Sequence, residues 1–237
     1  MKKKKQKSNR KLWWRISKGL VKITKKKPEW VFMGEEFCER SIILCNHVGT
    51  KCPLTLEYFF PYNFRFWGTH EMTEGMRSMC HYLQDVFYPI KKGWKKVPSK
   101  IIGFLGTPIT TYIYAGLNLI PTYKDFRFMT TIKESIKTLK KNENIIIFPE
   151  DSTNGYQDVL VGFHGGFTTL ASTALKEGMD LPIYVMYYQK KNHRFVVGKP
   201  IKYSELVNKG MTKDEMCEYL CNECNILGAY QKDIGNK

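Results

Sequence analysis

The chain has 237 residues, of which 43% are hydrophobic and 14% aromatic, and these proportions exclude a disordered protein and predict one domain with a buried core. Its formal net charge of +16 is unevenly placed, because residues 1–27 contain 13 lysines and arginines and no acidic residue. Seven cysteines, an odd number with no secretory signal before them, favour reduced intracellular thiols over a disulfide framework.

The first predicted element is a basic amphipathic helix within an arm that spans residues 1–28. Four aliphatic residues are spaced as one helical stripe: Leu12, Ile16, Leu20 and Ile23. Two tryptophans and several basic residues flank it, a combination typical of a helix lying on an anionic membrane surface. The alternatives are a stripe that docks on the protein's own core and an arm that binds nucleic acid. No recognisable nucleic-acid-binding fold accompanies the arm, so we expect no nucleic-acid partner.

After Pro28, predicted strands and helices alternate along the chain. Strands are predicted at residues 30–34, 41–45, 62–67, 144–148, 181–189 and 193–197, and helices at 53–60, 71–87, 125–142, 167–178 and 211–230. This alternation predicts an α/β fold with a largely parallel mixed sheet flanked by helices. We expect the α/β domain to span residues 29–205 and a C-terminal helix to lie within residues 206–237.

Two consecutive segments in the middle of the chain bear on membrane contact. Residues 91–100 read as a basic loop, which we interpret as a second contact with lipid headgroups. Residues 101–123 contain no charged residue and are long enough to cross a bilayer. Gly103, Gly106 and Pro108 interrupt this segment, which favours a buried helix or a partly inserted one over a spanning helix.

The last predicted helix carries three cysteines and a capping signal. Cys217, Cys221 and Cys224 are spaced to lie on one helical face, and a zinc site would need a fourth ligand at a suitable spacing. We therefore expect these thiols to pack in the core, and we predict no metal site. Thr212 and Glu215 have the spacing of a capping box at the start of the helix.

Two motifs, each directly after an apolar run, carry the functional information. Residues 42–45 end abruptly in Asn46-His47, and Cys52-Pro53 follows five residues later; residues 145–147 are followed by Phe-Pro-Glu-Asp-Ser-Thr at 148–153. In this order, and together with residues 163–167 and 181–186, the motifs resemble those of the glycerolipid acyltransferase family, the lysophosphatidic acid acyltransferases and their relatives. The resemblance extends over residues 30–200.

The resemblance implies roles for particular residues. His47 corresponds to the family's general base, and Cys52 stands where the family has the aspartate that orients it. The residues expected to bind substrate are Asn46, Lys124, Phe148, Pro149, Glu150, Ser152 and Thr153. Thr153 and the pair Pro121-Thr122 replace the family's phosphate-contacting arginines, a change for which Lys124 or Lys141 would compensate. Two other carboxylates, Glu57 and Asp151, are candidates for orienting His47.

The function implied is acyl transfer at a membrane surface. A fatty acyl group would pass from acyl-CoA or acyl carrier protein to a hydroxyl of a lipid acceptor, without a metal or other cofactor, on the cytoplasmic face of the membrane. A histidine suits the removal of the hydroxyl proton because its usual pKa lies near neutrality. The replaced aspartate and the missing arginines also fit a catalytically inactive relative that binds lipid or a partner enzyme.

Overall fold

The computed structural model describes residues 10–151 and 155–231. The α-helices are α1 (Leu12–Ile23), α2 (Lys51–Phe59), α3 (Met76–Tyr82), α4 (Lys96–Leu117), α5 (Phe128–Lys140), α6 (Gly166–Lys176), α7 (Tyr203–Asn208) and α8 (Lys213–Ala229). The strands are β1 (Glu29–Phe32), β2 (Ile42–Cys45), β3 (Phe64–Thr69), β4 (Ile120–Thr122), β5 (Asn144–Ile147), β6 (Pro182–Gln189), β7 (Arg194–Val197) and β8 (Ile201–Lys202). A 3-10 turn (His70–Met72) precedes α3, and a π-helical segment (Leu83–Lys91) follows it.

Within the described residues, the eight strands form one sheet in the order β1-β7-β6-β2-β5-β3-β4, with β8 also paired to β6. Five consecutive strands of this order run parallel to one another: β6, β2, β5, β3 and β4. The next strand, β7, is antiparallel to β6. At the centre, Ile42 of β2 pairs with Ile145 of β5 on one side and Ile183 of β6 on the other. The predicted α/β class, with a largely parallel mixed sheet flanked by helices, is confirmed.

Both faces of the sheet are covered, which explains why the central strands read as unbroken apolar runs. Successive side chains of a strand point to opposite faces. Ile42 and Leu44 therefore join the cluster that α5, α6 and α8 cover, whereas Ile43 and Cys45 join the cluster that contains Trp14 of α1 and Leu56 of α2.

The C-terminal helix belongs to the main core. Cys217, Cys221 and Cys224 of α8 are all buried, and they pack in the same cluster as Leu44 and Ile147 of the central strands. The predicted core packing of the three thiols is confirmed. The predicted capping box is also present: Glu215 N–H donates to the Thr212 hydroxyl, and the Glu215 carboxylate accepts from Thr212 N–H.

Two predicted boundaries are wrong. The single helix predicted over residues 71–87 is instead a 3-10 turn, α3 and the π-helical segment, because Gly75 at φ +97° lets the chain turn before α3 begins. The basic loop predicted over residues 91–100 covers only residues 92–95, because helical structure continues to Lys91 and α4 begins at Lys96. Pro98 lies in the first turn of α4, where its missing N–H costs no helical hydrogen bond.

The uncharged segment at residues 101–123 is mostly the surface helix α4, which ends where Asn118 adopts the left-handed conformation. Phe104, Leu105 and Ile109 are each more than 60% exposed, so the prediction of a buried helix is wrong for this face. Among the described residues, no helix combines the length and apolarity that crossing a membrane requires.

A buried ion pair fixes the N-terminal arm to the domain. The Arg10 guanidinium donates to both carboxylate oxygens of Glu57 in α2, at 2.7 and 3.2 Å. Trp14 Nε1 and Lys18 Nζ also donate to Glu57, at 3.0 and 3.1 Å. Burial acts to raise the pKa of Glu57, but Arg10 and Lys18 outweigh it and hold that pKa below its usual value.

The side of α1 that docks is therefore not the aliphatic stripe. Trp14 packs inward, so close to Gly116 of α4 that any side chain at position 116 would clash with its indole. The stripe residues point outward, and Leu12, Leu20 and Ile23 are each at least 66% exposed. The alternative in which the stripe covers the protein's own core is wrong.

We predict that Glu57→Gln destabilises the fold. The change leaves the positive charges of Arg10 and Lys18 without their carboxylate, and breaking a buried pair costs about 3 kcal/mol. Urea unfolding measures this loss, with Glu218→Gln, an exposed carboxylate on α8, as the control that should change stability by less than about 0.5 kcal/mol. Equal stabilities of the two variants would contradict the anchoring role of Glu57.

Candidate active site

The two motifs meet at one edge of the sheet. β2 ends at Cys45 and β5 ends at Ile147, and because the two strands are parallel neighbours, the residues that follow them emerge side by side. The His47 backbone N–H donates to Glu150 Oε2 at 3.1 Å. In open α/β sheets, ligands bind at the carboxyl ends of the strands, so this edge is the candidate active site.

The loop that carries His47 is held at one end and strained in the middle. The Asn46 side chain is fully buried, accepts from Tyr188 N–H at 2.7 Å and donates to the Tyr188 carbonyl at 3.3 Å. Val48 and Gly49 then adopt φ values of +35° and +61°. A positive φ is costly for a β-branched residue, and strain of this kind clusters at functional sites.

The His47 imidazole is held by two aromatic rings. Tyr156 stacks on it at a centroid distance of 4.7 Å with 6° between the planes, and Phe148 meets it edge-on, also at 4.7 Å. Its Nδ1 atom is buried and has no hydrogen-bond partner among the described residues. Burial, then the charges of Lys91 and Lys92, lower the pKa of His47 to about 4. The ring is therefore neutral and able to accept a proton at physiological pH.

Glu150 is the second unusual ionisable group. It is 6% exposed, and its Oε1 atom is buried without a hydrogen-bond partner in the described part of the chain. Burial raises its pKa to about 7, although the His47 N–H and the charge of Lys91 act in the opposite direction. Neighbouring groups whose pKa values are displaced in opposite directions are typical of catalytic sites.

The residues predicted to orient His47 do not bond to its ring. The Cys52 thiol is fully buried and lies 3.6 Å from the Cys45 thiol. Glu57 is held by Arg10, and Asp151 Oδ1 lies 3.9 Å from His164 Nε2. Nδ1 of His47 has no partner within the described ranges, and the ring contacts the stacked Tyr156 and makes a backbone hydrogen bond with Gly49 rather than bonding to a carboxylate or thiol.

The residues predicted to bind substrate divide into three groups. Asn46 braces the sheet, and the Pro149 carbonyl accepts from His164 N–H at 2.7 Å, so both position the loops. Phe148 and Glu150 contact His47, and Lys124 is close enough to Lys91 to affect its pKa. Lys141 follows the last residue of α5, at the edge of the sheet opposite to His47. Ser152 and Thr153 lie outside the described residues.

Sequence patterns did not identify two parts of the site. Tyr156 lies in a loop without periodicity, so nothing in the sequence indicated that its ring covers His47. Lys91 and Lys92 were assigned to lipid headgroups, whereas both are near enough to His47 to lower its pKa. The two lysines are recognised only from their position in the fold, because the π-helical segment ends beside the His47 loop. There Lys92 Nζ would lie 3.6 Å from a Cβ atom placed on Gly49.

No protein-family model matches the chain, and no curated protein matches it either. Its function is therefore inferred from the residues and the geometry of this site.

We predict that Glu150→Gln stabilises the protein at pH 8 but not at pH 4. The pKa of Glu150 is raised in the folded state from its ordinary 4.5 to about 7, so the folded state keeps the proton longer than the unfolded chain. Wild-type stability therefore falls as pH rises through this window. The variant avoids this loss and should gain on the order of 2 to 3 kcal/mol at pH 8.

Urea unfolding between pH 4 and pH 8 measures this difference, with Glu218→Gln as the matched exposed control. Glutamine keeps an acceptor for the His47 N–H, so the comparison isolates the charge. Parallel pH profiles for wild type and Glu150→Gln would contradict the raised pKa.

Proposed function

We propose that this protein is a peripheral O-acyltransferase of the cytoplasmic face of a membrane, in which His47 is the general base. It moves a fatty acyl group from acyl-CoA or acyl carrier protein to a hydroxyl of a lipid acceptor. The observation that carries the proposal is a neutral imidazole, held between Tyr156 and Phe148 at the carboxyl edge of the sheet. The order of motifs that resembles the glycerolipid acyltransferases supports the same chemistry.

The reaction needs one base and no cofactor. His47 takes the proton of the acceptor hydroxyl as its oxygen attacks the thioester carbonyl, and a tetrahedral intermediate forms. The carbon–sulfur bond then breaks, and His47 returns the proton to the thiolate that leaves. The products are an ester and a free thiol. A pKa of about 4 keeps the ring unprotonated before each turnover.

An apolar surface supports the proposed membrane partner. We define the α1–α4 face as the exposed apolar side chains of the two helices: Leu12, Ile16, Leu20, Ile23, Ile101, Phe104, Leu105 and Ile109. The two helices are in contact, since the rings of Trp13 and Tyr112 lie 4.4 Å apart and the Ser17 hydroxyl lies 3.0 Å from the Tyr112 hydroxyl. A group of exposed apolar side chains on two adjoining helices is typical of a protein or membrane contact.

The charge around the α1–α4 face favours an anionic membrane as its partner. Lys11, Arg15 and Lys22 are exposed on α1, and Lys96 and Lys100 are exposed at the start of α4. An apolar face bordered by basic residues fits lipid tails below anionic headgroups. The start of α4 also adjoins the π-helical segment that reaches the His47 loop, so membrane contact would bring a lipid acceptor near the base.

We predict that His47→Gln lowers acyl transfer by about 10²- to 10⁴-fold, the usual contribution of a general base. The matched control is His164→Gln, because the His164 side chain is 71% exposed and lies outside the contacts of the His47 ring. The measurement is thiol release from acyl-CoA in the presence of lysophospholipid vesicles, with folding checked by urea unfolding.

Two outcomes would count against this role. Equal activity of His47→Gln and wild type would remove His47 from the reaction. If the folded wild-type protein transfers no acyl group to any acceptor lipid offered, the protein is better described as a catalytically inactive relative. The lack of a hydrogen-bond partner on His47 Nδ1 among the described residues would then explain the loss of activity.

We predict that the double variant Ile16→Asp/Leu105→Asp binds vesicles containing phosphatidylglycerol at least about tenfold more weakly. Both substitutions place a negative charge on the α1–α4 face, which disfavours burial of that face in the lipid. The control is Val207→Asp with Ile226→Asp, which places the same charges on exposed apolar positions of α7 and α8. Substitution is preferable to deleting the arm, since deletion would also remove the partners of Glu57. Equal vesicle sedimentation of the two double variants would refute the α1–α4 face as the membrane contact.

A further inference from the structure

Two buried thiols meet at the two ends of the loop that carries His47. Cys45 is the last residue of β2 and Cys52 is the second residue of α2, so only residues 46–51 separate them. Their sulfur atoms lie 3.6 Å apart, and either thiol can donate its proton to the other. Both side chains are fully buried in one apolar cluster. The partner of the Cys52 thiol is therefore a second thiol.

The separation of the two sulfur atoms is suited to a disulfide. A disulfide bond is about 2.05 Å long, so the two atoms would have to approach each other by about 1.5 Å. Cys224 provides the contrast, because its side chain is equally buried but its thiol donates to the Met186 carbonyl at 3.5 Å. In a reducing compartment, cysteine pairs stay as thiols and form disulfides only transiently, as redox-sensing pairs do.

A disulfide at this position would move the loop that carries His47. Cys45 is held in the sheet, where it pairs with Met186 of β6. The movement therefore falls on the first turn of α2 and on the loop, in which Val48 is already strained at φ +35°. Oxidation would also remove the thiol proton that Cys45 donates to Asn46 Oδ1 over 3.5 Å. Both changes act on residues directly beside His47.

Burial determines how the two thiols react. It raises the pKa of both, so neither is a good nucleophile while the loop is closed. The pKa of Cys45 is raised well above its usual value, whereas at Cys52 the hydrogen bond from Cys45 opposes the rise. Opening of the strained loop would expose Cys52 in the first turn of α2, where a helix N-terminus favours the thiolate. Cys52 is therefore the thiol that reacts first.

We propose that Cys45 and Cys52 form a redox-sensitive pair, which a peroxide converts into a disulfide that displaces His47. The Cys52 thiolate attacks one oxygen of hydrogen peroxide, the O–O bond breaks, and a sulfenic acid and one water result. The Cys45 thiolate then attacks the sulfenic sulfur, the S–O bond breaks, and the hydroxide leaves as a second water. The two thiols lose two protons and two electrons, which reduce the peroxide. The disulfide is independent of the proposed function, whereas its effect on acyl transfer rests on that function.

Peptide mapping of the full chain measures the disulfide directly. Trypsin cleaves after Arg40, Lys51 and Arg65, so Cys45 and Cys52 lie in separate peptides that a disulfide between them joins. The protein is treated with hydrogen peroxide, its remaining thiols are alkylated, and the digest is analysed by mass spectrometry. We expect the two peptides to be joined in the wild type and to separate after treatment with dithiothreitol.

Three variants control the assignment. Cys52→Ala and Cys52→Ser each remove one partner and should give no joined peptides, and the serine variant keeps the size of the side chain. Cys224→Ala removes an equally buried thiol and should still form the Cys45–Cys52 disulfide. In the wild type, oxidation should shift the NMR resonances of the His47 imidazole, and reduction should restore them. Acyl transfer should fall reversibly by about 10²-fold, the loss that a displacement of about 1 Å can cause.

The outcomes separate the thiol pair from the reaction. Free thiols at Cys45 and Cys52 after oxidation of the half-buried Cys38 and Cys80 would overturn the proposal. A disulfide that leaves the imidazole resonances of His47 unchanged would overturn it as well. A reversible disulfide that shifts these resonances, in a protein that transfers no acyl group in either state, would keep the thiol pair and refute the acyltransferase function.

Discussion

The hydrogen bond from His47 N–H to Glu150 is the constraint on which the candidate site depends. It exists because β2 and β5 are parallel neighbours in register, so that the residues after Cys45 and after Ile147 leave the sheet together. The same placement buries Glu150 and the Nδ1 atom of His47, and it separates the two pKa values, to about 4 for His47 and about 7 for Glu150. A neutral imidazole at this edge thus follows from sheet topology and burial, with no carboxylate bonded to its Nδ1 atom among the described residues.

A second constraint ties α1 of the α1–α4 face to this site. Glu57 lies in α2, the helix that begins directly after the His47 loop, and it is bonded to Arg10, Trp14 and Lys18 of the arm. The described part of the arm that begins at Arg10 is therefore part of the folded domain, and residues 1–9 lie outside the described residues. On the other side, α4 follows the π-helical segment that carries Lys91 and Lys92. Buried contacts to Glu57 thus connect α1 with the helix that follows the His47 loop.

Much of the fold was predictable because the central strands are covered on both faces and read as apolar runs. The motifs at residues 46–47 and 148–150 directly follow such runs, and the structure brings them together at one edge of the sheet. The Arg10–Glu57 pair joins residues 47 positions apart and leaves no local pattern. An uncharged helix such as α4 has the same composition whether it is buried or exposed to lipid. The partners of His47 were predicted as carboxylate or thiol, but the ring is held by Tyr156, whose loop carries no periodic signal.

The proposed reaction at this edge of the sheet is the transfer of an acyl group to a lipid hydroxyl. The most direct measurement incubates the purified protein with isotopically labelled acyl-CoA and a total lipid extract, and identifies labelled products by mass spectrometry. We expect label in an ester of one class of lipid, with one free thiol released for each ester formed. Release of labelled free fatty acid alone, or no transfer of label by the folded protein, would contradict it.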